Sequence, residues 1–167
     1  MRNFTLTACI SGLVGVAACT AQAQEVPAPT ENAVEAAIAP SSGEEWVVFS
    51  SNDRNIYLID LKSFKPVGDA TAVRLARVPT QGATTVFLHR VDEYELRCQP
   101  NQARMMAEVE MDNSGDEVER YPEADAEWET MRPSSLPAYF KSIVCDGARP
   151  NGAPASSIKV FIERGRK

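Results

Sequence analysis

From Trp46 onward, apolar and polar positions alternate in short runs, the period of strands with one buried face. Trp46-Val-Val-Phe-Ser50 and Ile56-Tyr-Leu-Ile-Asp60 flank the turn signal Asn52-Asp-Arg-Asn55 and read as a hairpin. Residues 73–78 alternate until Pro79, which lacks a ladder donor. After Gln81-Gly82 the pattern predicts extended chain over 85–88, resuming over 94–98. Val86, Leu88, Tyr94, Leu96 and Cys98 then share one face. Residues 104–111 and 117–121 flank Asn113-Ser-Gly-Asp116, a second hairpin.

The period then changes. Leu136, Tyr139, Phe140, Ile143 and Val144 fall at i, i+3, i+4, i+7 and i+8, the apolar stripe of a helix. Ser134 or Ser135 stands where a cap belongs, Pro137 lies in the first turn, and Gly147 lies where the chain would leave the helix. A Pro/Gly/Ala-rich linker follows. Residues 157–162 read as a last strand, and 164–167 as a basic tail. The expected fold is α+β and β-rich: an antiparallel sheet of about six strands with one C-terminal helix packed on it and one disulfide. The folded part spans about 120 residues, enough for one core.

The N-terminus reads differently. Arg2 precedes a charge-free run over 4–18 that is too short to span a membrane well and ends in small residues, the anatomy of an export signal. Two cleavage sites compete. Ala21-Gln22-Ala23 suits the ordinary signal peptidase and gives a signal over 1–23. Val16-Ala17-Ala18-Cys19 resembles a lipobox and gives a signal over 1–18 with Cys19 lipidated. Residues 24–44 are Ala, Pro, Glu and Ser rich, and read as a flexible linker too poor in apolar surface to fold. The chain is therefore expected to be exported, as a periplasmic protein or an outer-membrane lipoprotein displayed at the surface. Its only membrane contact would be a lipid on Cys19.

Export settles the cysteines. Of four, Cys9 lies in the signal and Cys19 is either discarded or acylated, which leaves Cys98 and Cys145 in an oxidising compartment. Each has only the other as partner, so a Cys98–Cys145 disulfide is expected.

Charge narrows the functions further. The formal net charge is −6, and residues 108–129 carry ten acidic side chains against Arg120 alone. Such a surface repels nucleic acid. Within it, Asp112, Asp116 and Glu117 are the candidate ligand-binding residues, although a solvated hairpin protecting a sheet edge is the plainer account of them. No metal site or cofactor is expected. His89 is the only histidine, has no local nucleophile motif beside it, and reads as a surface or cross-strand residue. No catalytic residue is assigned. Trp46 and Trp128 read as core.

The order of landmarks resembles the surface-adhesin protein E-like family of bacterial envelope proteins. These are Trp46, Ile56-Tyr-Leu-Ile-Asp60, Tyr94-Glu-Leu-Arg-Cys98, Trp128, Pro133-Ser134-Ser135 and Cys145. Ser134 departs from the usual Gly, and residues 73–78 lack a Trp often seen there. The resemblance implies a β-rich domain over 45–147 with a helix and one disulfide, in the envelope. Residues 148–167 lie beyond it. The function expected is a non-catalytic adhesin-like binding module for a protein or matrix ligand. The alternative is a structural or stress-related envelope protein that packs against other envelope proteins.

Overall fold

A computed structural model describes residues 43–167. The export signal, Cys19 and residues 24–42 of the expected linker lie outside the described residues. Within them the chain forms one antiparallel sheet of eight strands and two helices. Six strands lie in the order β1-β2-β4-β5-β6-β7: β1 (Trp46–Ser51), β2 (Asn55–Asp60), β4 (Ala70–Pro79), β5 (His89–Arg97), β6 (Gln102–Met111) and β7 (Glu117–Pro122). Two short strands complete it. β3 (Lys65–Val67) pairs with β4 where β2 has ended, and β8 (Glu129–Thr130) pairs with β6 where β7 has ended.

Both expected hairpins form, each closed by a carboxamide or carboxylate that turns back on its own backbone. Asn52 Oδ1 accepts the N–H groups of Arg54 and Asn55 at 2.9 and 2.8 Å. Asp112 Oδ1 accepts those of Ser114 and Asp116 at 2.7 and 3.0 Å. These side chains supply locally the partners that a turn otherwise lacks.

Helix α1 (Leu136–Asp146) covers one face of the sheet. Its Phe140 sits between Phe49 of β1 and Tyr94 of β5, with ring centroids 6.0 and 5.5 Å away. Ile59, Val73, Leu75 and Leu96 complete that core. Ser135 is the cap residue, but its hydroxyl donates to Arg132 O instead of capping by side chain. Tyr139, expected in the buried stripe, is exposed. The Cys98–Cys145 disulfide is present, joining the chain just after β5 to the last turn of α1 with Cα atoms 5.6 Å apart.

Three expectations need correction. Residues 85–88 are not a strand. They follow a turn in which Val86 N–H donates to Ala83 O, and Phe87 N–H donates to Asn113 O on the distant hairpin. Phe87 therefore packs inward while Leu88 is exposed, so Leu88 does not share a buried face with Leu96. Residues 157–162 are not a strand either: α2 (Ile158–Glu163) is a short helix. Ser157 caps it by accepting Val160 N–H at 3.2 Å, and Ile158, Phe161 and Ile162, at i, i+3 and i+4, are buried. A six-residue apolar run satisfies either period, and the sheet face left open by α1 decides for the helix. The sheet thus has eight strands instead of about six, and two helices pack on it instead of one.

Helix α2 closes the opposite face over Leu58, Ala76, Val78, Val91 and Val109. The bridge between Trp46 and Ala155, two backbone bonds of 2.9 Å, draws the C-terminal segment onto β1. Trp46 is core as expected, its indole N–H donating to Glu44 at 2.8 Å.

The staple closes a loop with a sequence separation of 47. In the chain-entropy model it stabilises the fold by about 4 kcal/mol. Replacing both Cys98 and Cys145 by Ala is expected to lower the urea-derived stability by that order. An unchanged unfolding midpoint would mean that packing of Phe140 alone holds α1.

Candidate binding face

The face covered by α1 is apolar only part of the way along the strands. Beyond Leu75 and Tyr94 the same face carries Arg77 on β4, Arg90 and Asp92 on β5, and Glu108 and Glu110 on β6. Register puts Arg77 opposite Arg90, Arg90 opposite Glu110 and Asp92 opposite Glu108. Two like charges face each other directly, an arrangement that carboxylates must relieve. Arg77 bonds Asp92 at 2.7 Å and also Glu108, while Arg90 bonds Glu108 at 2.6 Å and also Glu110. The result is a ladder of alternating sign across three strands. Burial pushes the Asp92 carboxyl above the usual range against the pull of Arg77, and pushes the Tyr94 hydroxyl up to about 12.

At the end of this ladder lies a cleft of about 660 Å³. Arg77, Arg90 and Glu110 line it, with Pro79 and Leu88 on one side and Asp112, Asn113 and Val118 on the other. Leu88 and Val118 are 49% and 61% exposed, and Tyr121 farther along β7 is exposed as well. β7 is an outer strand whose sheet neighbour is β6. Apolar side chains held open beside ion pairs make this quadrant amphipathic.

The two walls touch through the Phe87–Asn113 bond and through Gly115. Gly115 has φ +75°, and a Cβ there would lie 2.6 Å from Lys159 Cε and 3.1 Å from Phe87 Cβ. A side chain at this position would both strain the turn and push the walls apart.

The three acids singled out from sequence are spread among three partners. The Asp112 carboxylate is taken up by the hairpin, whose backbone N–H groups hold its pKa below the usual range. Asp116 lies 3.6 Å from Lys159 Nζ, and Glu117 bonds Arg120 at 3.1 Å. Among the described residues no three His, Cys, Asp or Glu side chains are grouped to hold a metal ion. Of the trio, only Asp112 lines the cleft. Trp128, expected in the core, is half-buried between the guanidinium groups of Arg97 and Arg104, 4.0 and 4.5 Å from its ring centroid.

His89 is a cross-strand residue opposite Met111, as expected, but it is buried rather than on the surface. Its Nδ1–H donates to Phe87 O at 2.6 Å, which commits that nitrogen to the loop just before β5.

Apart from Asp112, sequence reasoning missed the residues of this quadrant. Arg77, Arg90 and Asp92 stand within or beside apolar runs of β4 and β5, and a charge in such a register is the available signal. Val118 and Tyr121 are the apolar residues of an otherwise charged strand ending in proline. Leu88 was hidden by an expected strand that does not exist.

A stapled α+β sheet module with an open amphipathic quadrant is the class of protein this geometry defines. The chain matches the family model described as surface-adhesin protein E over residues 46–146, well over half its length, and it belongs to that family. No curated protein and no solved structure matches it. Membership makes it an adhesin-like surface protein, exported and associated with the envelope. The match spans nearly all of the region in which the sequence landmarks were read.

Burial lowers the His89 pKa from its ordinary 6.5, outweighing the Phe87 bond and the charge of Glu44, with Arg74 and Lys159 acting in the same direction as burial. The folded state thus binds the proton less well than the unfolded chain. Stability from neutral His89 is fully present above pH 6.5 and is lost as pH falls through the lowered folded value. Urea unfolding at pH 7.5 and 5.5 is expected to show a fall in stability that His89→Asn reduces. An identical pH dependence in the variant would contradict this.

Proposed function

We propose that this chain is a non-catalytic, envelope-displayed binding module that engages a protein or matrix ligand through the cleft and the adjoining face of β7. The observation carrying this reading is the open quadrant itself, where Leu88, Val118 and Tyr121 stay exposed beside a ladder of ion pairs. Apolar anchors within a polar rim are the usual anatomy of a protein-binding patch. Family membership supports adhesion and a non-enzymatic role. In this reading Asp112 lines one wall, and Asp116 and Glu117 of the same hairpin add to an acidic field that favours a basic partner and weakens with salt. Display would come from a lipid on Cys19, with residues 24–44 in the spacer; cleavage after Ala23 would instead release a free periplasmic or secreted protein.

The test is a titration of purified extracellular-matrix proteins over the immobilised full chain. Saturable binding is expected, and the double variant Leu88→Ala, Val118→Ala is expected to weaken it at least tenfold. That corresponds to about 1.4 kcal/mol, with no change in thermal midpoint because both side chains are exposed. Absence of saturable binding across the panel, or full affinity in the double variant, would favour a structural role in the envelope instead.

A further inference from the structure

The residues beyond the family match brace the walls of the cleft from behind, without lining it. Arg166 reaches back to the end of β4 and the loop that follows it, and donates four hydrogen bonds to their backbone. Nε bonds Pro79 O at 3.1 Å, Nη1 bonds Gly82 O at 3.0 Å, and Nη2 bonds Ala83 O and Val86 O at 3.2 and 3.3 Å. Residues 80–88 belong to no strand, so the carbonyls of Gly82, Ala83 and Val86 lack ladder partners, and a planar five-donor guanidinium suits several at once while also reaching Pro79 at the end of β4. Gly82 makes room for it: φ is +138°, and a Cβ there would lie 3.0 Å from Nη2. The same segment reaches the other wall. Lys159 of α2 lies 6.0 Å from the Phe87 ring centroid and 3.6 Å from the Asp116 carboxylate. Burial of Phe161 and Ile162 anchors the segment against the sheet.

We propose that residues 147–167 are a positioning element for the cleft, with Arg166 fixing the 79–88 loop as its wall and Lys159 holding that wall beside the 112–116 hairpin. The extension thereby sets the placement of Leu88, and with it the shape of the surface offered to a ligand. This rests on the reading of the cleft as the binding site, but its test requires no ligand.

Amide hydrogen exchange of the purified full chain, read at Val86 and Phe87, follows the loop directly, because both N–H groups are bonded there. Arg166→Ala is expected to speed exchange at these two amides at least tenfold. Amides of β1, β2 and α1 are expected to stay within about twofold, and the Leu88 methyl resonances to shift. Arg166→Lys is expected to restore protection only in part, since a compact ammonium cannot span the same carbonyls. Unchanged exchange at Val86 and Phe87 would overturn the proposal, and so would an equal rise at all amides, which would mark Arg166 as a general stabiliser. Either result leaves the matrix-binding titration unaffected, so failure of the positioning role and failure of the cleft reading are told apart.

Discussion

An open sheet has two faces to keep from water, and this chain covers them with two short helices. Phe140 of α1, wedged between Phe49 and Tyr94, closes one face. Phe161 and Ile162 of α2 close the other. Neither helix is long enough to shield a whole face, with α1 at eleven residues and α2 at six. The remainder must be polar or must bind something. On the α1 face that remainder is the ladder from Asp92 to Glu110. Exposed ion pairs contribute little to stability, while the partly buried Arg77–Asp92 contact is needed because an unpaired Asp92 would be costly. The ladder is better understood as a way to present a flat, structured surface than as a source of folding energy.

That surface stays in place because its borders are tied from several directions. The hairpin is closed by Asp112, its tip touches Phe87 across Gly115, and the facing loop is held by Arg166. The disulfide works at the other end of the sheet, where it fixes α1 to the chain leaving β5. A preorganised face loses less freedom on binding, which favours affinity without added contact area.

Much of the fold was legible in the sequence because its signals are local. Asn52 and Asp112 announce their turns, the Leu136-to-Val144 stripe announces α1, and the cysteine count leaves one pairing. The last helix was not legible, because Ile-Lys-Val-Phe-Ile fits both periods and only the vacant sheet face selects one. The cleft was legible in part. Its acidic wall drew notice at Asp112, but the loop that carries Leu88 is placed by the bonds of Phe87 to Asn113 and of Arg166 to residues 79–86, which join positions more than twenty apart and which a local pattern does not carry. His89 was read as a surface or cross-strand residue and is the latter, but its burial was not legible: a single polar residue in an alternating run gives its strand and not its depth.

The central claim is that the open quadrant is the face this protein uses. The most direct measurement is a hydrogen-exchange footprint of the full chain with a saturating matrix protein, mapped residue by residue. Protection confined to residues 84–92 and 108–121, with α1 and β1 unchanged, is the expected result. Protection centred on α1 or β1, with the 112–118 hairpin exchanging as in the free protein, would contradict it.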